Sequence, residues 1–170
     1  MNIEKHGNAW VYGDNIDTDL LAPGAYMKAP IEKLAQHCLE AIDPRFAKRV
    51  KPGDILIAGH AFGIGSSREQ AVQALLELGI AAVVVKSCAR IFYRNAINLG
   101  LPVLICPTLS AIEQGHSIAV NVANARINNR TLAQSFACEP MAPKLLTIID
   151  AGGLIPYLKT TLDLDKKITL

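Results

Sequence analysis

No stretch of the 170-residue sequence comes near the run of roughly 20 apolar residues that a membrane-crossing helix needs. Charge is almost balanced. A net charge of +2, with the basic residues scattered rather than gathered, offers a phosphate backbone no patch to grip and argues against nucleic acid as a partner. The four cysteines, Cys38, Cys88, Cys106 and Cys138, lie far apart without a C-x-x-C, and the four histidines, His6, His37, His60 and His116, lack ligand spacing. Buried free thiols in a reducing compartment explain such cysteines better than a disulfide or a metal, and nothing here would hold a metal unaided. Residues 1–8 are polar and charged with no apolar core behind them, so no signal or transit peptide is expected and a cytoplasmic location is.

What the sequence does have is an ordinary globular composition, 51% hydrophobic and 19% charged, and a length that suits one domain. That domain is expected over residues 1–162, with 163–170, a stretch of alternating charge, as a loose tail. Trp10 to Gly13 reads as a short strand followed by a turn-prone acidic segment from Asp14 to Asp19. Ile31 to Ile42 has helical apolar spacing and Pro44 stops it. The middle is the most legible part. Asp54 to Ala58 is an apolar strand, Gly59 to Gly65 a glycine-rich turn, and Glu69 to Leu78 an amphipathic helix closed by Gly79. Ile80 to Lys86 suits a strand covered on both faces, Ser87 is placed to cap a helix running to about Leu99, and Leu101 to Cys106 is another buried strand. Three strands alternating with two helices imply right-handed βαβ crossovers and a parallel core. Beyond Pro107 the pattern predicts added short strands, Ser117 to Val122 and Leu145 to Ile149, with a turn near Asn128 and Asn129.

The turn Gly59-His60-Ala61-Phe62-Gly63-Ile64-Gly65-Ser66-Ser67-Arg68-Glu69 joins a buried strand to a helix. Its glycines permit positive φ or close approach to a ligand. Ser66 with Glu69 has capping-box spacing, and so does Ser67 with Gln70, so one serine can cap while the other stays free. A helix N-terminus concentrates unpaired N–H groups and partial positive charge, and Arg68 adds a carboxylate fork there. The segment is therefore an anion site or simply a well-capped turn. A phosphate cradle is the nearest rival, but the Lys-Ser/Thr ending of a P-loop and the G-x-G-x-x-G spacing are both missing.

Gly63-x-Gly65-Ser66-Ser67-Arg68-Glu69, followed by Lys86-Ser87-x-Ala89-Arg90-Ile91-Phe92 and Asn95-x-x-x-x-Gly100-Leu101-Pro102, resembles the swivelling domain of the aconitase superfamily. Gly13-Asp14-Asn15-Ile16-Asp17-Thr18-Asp19 through Pro23 and Tyr26 is similar to that family's N-terminal motif, and Gly152-Gly153-Leu154-x-Pro156-Tyr157-Leu158 to its C-terminal one. The resemblance runs in order from about residue 7 to 160. In length the chain is similar to the free-standing small subunits of the isopropylmalate dehydratase and homoaconitase group. The fold so implied is α/β, a single swivelling β/β/α domain with a parallel βαβαβ core and added β strands.

The resemblance also implies an activity, the reversible dehydration and hydration of a 2-hydroxy dicarboxylate or tricarboxylate. It implies no cofactor in this chain, a [4Fe-4S] cluster in a separate large subunit serving as Lewis acid, and activity only with that partner. Ser66 matches the family's base, Ser67 and Arg68 match substrate-carboxylate ligands, and Asp19 matches an aspartate that orients a histidine of the large subunit. Arg90, beside Ile91 and Phe92, reads as a structural helix residue. Relatives usually carry Asn where this chain has Ala61 and His where it has Gln70. The residues after Tyr26 lie, in relatives, over the variable group of the substrate, apolar in isopropylmalate enzymes and with arginine in homoaconitate ones. Lys28 stands there in this chain and could meet a carboxylate or cover an alkyl group with its methylenes. Isopropylmalate is the first reading; homoaconitate or another malate-type acid such as dimethylmalate follows. Two other classes remain open: a carboxylate- or phosphate-binding module without a partner, and a hydrolase using Ser66 or Ser67 with His60 or His116 as base, for which no G-x-S-x-G elbow is present.

Overall fold

The structure is a computed structural model that describes the backbone of residues 4–168 and the side chains of residues 4–162. The chain begins with strand β1 (Glu4–Val11), then the short helix α1 (Thr18–Leu21), a 3-10 turn at Gly24–Tyr26, and the short helices α2 (Ile31–Ala35) and α3 (Phe46–Arg49). The expected alternation follows: β2 (Ile55–Ala58), α4 (Glu69–Glu77), β3 (Ala82–Val85), α5 (Arg90–Asn98) and β4 (Val103–Ile105). A meander of β5 (Ser117–Asn121), β6 (Arg126–Asn129) and β7 (Gln134–Ala137) leads to α6 (Pro143–Asp150) and α7 (Leu154–Ile168).

The strands form a seven-stranded sheet in the order β4-β3-β2-β1-β5-β6-β7. β1 serves both halves. Its second part, Ala9 to Val11, lies parallel to Ile55 to Ile57, while its first part, Glu4 to Asn8, lies antiparallel to Ser117 to Asn121. One long strand thus joins a parallel half to an antiparallel half, and the two halves close on each other. Side chains alternate along a strand, so each strand of the parallel half serves two cores. Leu56, Ala58, Val83, Val85 and Val103 pack with Ala71, Leu75 and Phe92 under the helices. Ile55, Ile57, Ala82, Val84 and Leu104 pack with Ile118, Val120 and Ile127 of the antiparallel half. The result is a β/β/α layering. Full burial of each such valine, leucine or isoleucine contributes about 1.5–3 kcal/mol, which is why these strands carry unbroken apolar runs.

The start of β2 is fixed by Asp54, a buried carboxylate that accepts hydrogen bonds from Asn8 N (3.0 Å), Trp10 Nε1 (2.9 Å) and Lys51 N (3.0 Å). Three donors compensate the cost of taking the charge out of water.

Several local expectations differ from what is found. The strand predicted at Leu145 to Ile149 is helix α6, with Pro143 at its first position. Leu145, Ile148 and Ile149 fall at i, i+3 and i+4 and pack on Ile97 of α5, so the period is helical although the composition is β-branched. The helix expected from Ile31 to Ile42 ends at Ala35, and the chain continues in turns with Leu39 at φ 59. Asn128 and Asn129 lie inside β6. The turn follows one residue later, held by Asn129 Oδ1, which accepts from Thr131 N and Leu132 N. The tail expected over 163–170 coincides with the last turns of α7 as far as Ile168, and residues 169 and 170 lie outside the described residues.

Candidate functional site

The turn after β2 is zipped onto the acidic N-terminal segment. Gly59 N donates to Gly13 O (3.0 Å), Asn15 N to His60 O (2.8 Å), Gly63 N to Ile16 O (2.7 Å) and Thr18 N to Ile64 O (2.9 Å). Asp14 Oδ1 adds a bond from His60 N at 2.6 Å. Two sequence motifs far apart in the chain therefore form one rigid seam. On the other side Ser87 Oγ accepts from Ala61 N (2.8 Å), and Ala89 N donates to Phe62 O (2.8 Å). Ser87 is thus a strut for the turn and not the cap of α5, whose N-cap position belongs to Ala89. Gly63, at φ +73, is required by contact as well as conformation: a Cβ there would stand 2.4 Å from the Phe92 side chain. Ala61 sits at φ 55, a region in which asparagine is far more comfortable than alanine.

Beyond Ile64 the chain leaves the seam, and Ser66 and Ser67 are exposed with no side-chain hydrogen bond among the described residues. Neither serine caps α4. The N-cap is Arg68, extended at φ −73 and ψ 106, and no side chain bonds to the first turn. A tight turn in which Arg68 N donates to Ser66 O (2.8 Å) delays the helix, so both capping boxes stand out of register with it. The N–H groups of Glu69 and Gln70 consequently find no acceptor among the described residues.

Arg68 closes the far side. Its Nη1 donates to Asp19 Oδ1 and to Ala22 O (3.1 Å), while Nε and Nη2 make no hydrogen bond among the described residues. The Asp19 carboxylate and the carbonyl of α1 hold one corner of the guanidinium and leave its Nε/Nη2 edge for a planar acceptor. Asp19 is available because its neighbour Asp17 does the capping of α1, accepting from Leu20 N at 2.8 Å. The structure therefore brings Asp19, Ser66, Ser67 and Arg68 together. Lys28 is exposed and makes no hydrogen bond or ion pair among the described residues. The turn that carries it is anchored by Tyr26, whose ring stacks on His37 at 3.6 Å and 6°, with His37 Nδ1 2.6 Å from Glu40 Oε2. Thr18, part of the N-terminal motif but without a role assigned from the sequence, lies against the same loop, its N–H on Ile64 O and its Oγ1 beside Gly65.

The model of the aconitase C-terminal domain matches residues 4–107, a span that holds the seam, both serines and Arg68. The chain belongs to the aconitase C-terminal domain family. It is similar to the 3-isopropylmalate dehydratase small subunit 1 of Methanopyrus kandleri, 46% identical over 90% of this chain and 91% of that one. The methanogen homoaconitase small subunit of Methanothermobacter thermautotrophicus is 40% identical over 92% of each chain. A crystal structure of 3-isopropylmalate dehydratase (LeuD) from Methanocaldococcus jannaschii superimposes with a TM-score of 0.91 at 42% identity, covering 96% of this chain and 98% of that one.

The side chains of this family member do not suit an iron–sulfur cluster of their own. Among the described residues no three His, Cys, Asp or Glu side chains gather into a metal-binding group. The four cysteines are free thiols, Cys38, Cys106 and Cys138 buried and Cys88 half-buried. Nor is either serine hydrogen-bonded to a histidine among the described residues. His116 Nδ1 is 2.9 Å from Asn129 Nδ2, in the antiparallel half. Among the described residues no helix is long and apolar enough to cross a membrane.

Proposed function

We propose that this chain is the small subunit of a hydro-lyase that reversibly removes water from a 2-hydroxy dicarboxylate, with 3-isopropylmalate as the substrate, and that it lends the Ser66-Ser67-Arg68 loop to a large subunit. The observation that carries the reading is the exposed, unbonded pair Ser66 and Ser67, held between the Thr18–Ile64 tie and the Arg68–Asp19 pair at the start of α4. Elimination of water takes a proton from the carbon beside a carboxylate and a hydroxyl from the neighbouring carbon. This chain handles the proton and the carboxylate. The [4Fe-4S] cluster of the large subunit supplies Lewis acidity toward the hydroxyl.

Ser66 Oγ is the base. A serine hydroxyl is far too weak an acid to be ionised at neutral pH, so its alkoxide must be stabilised where it forms. The unpaired N–H groups of Glu69 and Gln70, the positive end of α4 and the nearby guanidinium provide that field in the manner of an oxyanion hole. Ser67 and the Nε/Nη2 edge of Arg68 bind the carboxylate next to the carbon that loses its proton. Asp19 fixes the guanidinium and retains an exposed oxygen for the histidine of the large subunit.

A second reading, a tricarboxylate substrate, is favoured by one observation. Lys28 is an exposed cation without an ion-pair partner among the described residues, at the position that would face the variable group of the substrate. The deciding experiment reconstitutes the chain anaerobically with its cluster-loaded large subunit and assays a panel of malate-type acids. Turnover of 3-isopropylmalate supports the first reading and preference for a tricarboxylate the second. A correctly assembled pair that turns over no member of the panel overturns both.

A further inference from the structure

Thr18 is buried, with 2% of its surface exposed, and its Oγ1 is the one buried side-chain oxygen or nitrogen among the described residues that has no hydrogen-bond partner. The reason lies in its position. Thr18 is the first residue of the four-residue helix α1, so no preceding helical turn offers the carbonyl that a helical threonine usually bonds. Leaving a buried hydroxyl unpaired is unfavourable, and a valine of the same shape would avoid it.

The hydroxyl is aimed at the loop. A Cβ built on Gly65 would come within 2.9 Å of Thr18 Oγ1, so this oxygen lies directly against the residue that precedes Ser66. Gly65 sits at φ +109, a conformation that only glycine adopts freely. The backbone is tied before Gly65, where Thr18 N meets Ile64 O at 2.9 Å, and after Ser67 the Arg68 side chain is held by Asp19 and Ala22. Between these ties lie Gly65, Ser66 and Ser67, with the Ser66 carbonyl accepting from Arg68 N at 2.8 Å. Glycine has no Cβ to restrict a change of the peptide at Gly65, and such a change would turn a backbone donor or acceptor toward the hydroxyl.

We propose that Thr18 is a positioning residue for the reaction: in the substrate-bound site its hydroxyl hydrogen-bonds the Gly65–Ser66 segment and holds Ser66 Oγ in line for proton transfer. The inference rests on Ser66 being the base. Substrate carboxylate on Arg68 and Ser67 draws the loop into this register, and the hydroxyl that has no partner in the free chain gains one there. Its contribution therefore falls on turnover and not on folding or ground-state binding.

The test uses the reconstituted two-subunit enzyme with Thr18→Val and Thr18→Ser, and the thermal midpoint of each purified small subunit. Thr18→Val is expected to unfold at or above the wild-type temperature, to lower kcat ten-fold or more and to leave KM within about three-fold. Thr18→Ser, which keeps the hydroxyl, is expected to retain kcat within about three-fold. In a Ser66→Ala background the Thr18→Val penalty should vanish, because the hydroxyl then has no base to place. Wild-type kcat in Thr18→Val, or an equal penalty with and without Ser66, overturns the inference while the hydro-lyase reading stands. A Thr18→Val chain that unfolds well below wild type overturns it too, since the hydroxyl would then be bonded in the resting fold. An inactive wild-type pair overturns the hydro-lyase reading itself, and this inference with it.

Discussion

Arg68 spends one guanidinium nitrogen inside the protein and leaves its Nε/Nη2 edge without a partner among the described residues, and that division has a measurable consequence under the proposed function. Lysine in its place keeps the charge but loses the planar fork and the simultaneous grip on Asp19 and Ala22. Arg68→Lys is expected to raise KM for the dicarboxylate by about ten-fold or more while kcat falls less, because the carboxylate contact is made in ground and transition states alike; steady-state kinetics of the reconstituted pair measures the split. Lys28 calls for a different reading, since an exposed amine can follow a carboxylate or retire to water. Lys28→Val is expected to move the ratio of kcat/KM toward alkyl-substituted malates by on the order of ten-fold, the worth of one charge-assisted contact. An unchanged ratio would place the ammonium in solvent. The serines and Arg68 could be singled out as candidates from the sequence because their order in the chain is a signature in itself. Thr18 was not, because a missing partner is a fact of three dimensions.

At the scale of elements, β2, α4, β3, α5 and β4 were readable to within a residue or two, because a doubly covered strand and a capped amphipathic helix each leave a contiguous trace. The helix start was harder. Two overlapping capping boxes pointed at Ser66 and Ser67, yet the pairing of Arg68 with Asp19, and its backbone bond to Ser66, hold both serines outside the helix. Tertiary contact thus outweighed a local cap worth about 1 kcal/mol, and both hydroxyls stay exposed because it did. α6 was misread for a related reason: β-branched composition hid a helical period that only its contact with α5 makes visible. The junction of β1 and β2 offers a stability test. Asp54→Ala strands Trp10 Nε1 and two backbone N–H groups, and the expected loss is about 3 kcal/mol by chemical denaturation, or a Tm lower by roughly 6–12 °C. Loss below about 1 kcal/mol would mean that water replaces the carboxylate at no cost.

At the scale of the whole molecule, the β/β/α layering was legible only through the family resemblance, since nothing local announces that β1 divides its length between two half-sheets. Burial within these layers also fixes an alkaline limit. The Cys88 and Cys138 thiols are pushed up to about 12, chiefly by burial, so between about pH 9 and 12 the folded chain holds protons that the unfolded chain has released. Their contribution to stability is complete below about pH 9 and is lost as pH rises toward 12. Urea midpoints are expected to fall steadily across that window, and less steeply in Cys88→Ala; a midpoint equal at pH 8 and pH 11 would contradict the burial argument. On the proposed reading the function belongs to a larger assembly, to which this chain lends a base and a carboxylate clamp. The central measurement is the kcat of the anaerobically reconstituted pair carrying Ser66→Ala, with subunit assembly verified at the concentration of the assay. The expected result is a loss of about 10²–10⁴-fold with KM within a few-fold of wild type, the size of a missing general base; wild-type turnover in a fully assembled Ser66→Ala pair would show that Ser66 is not the base.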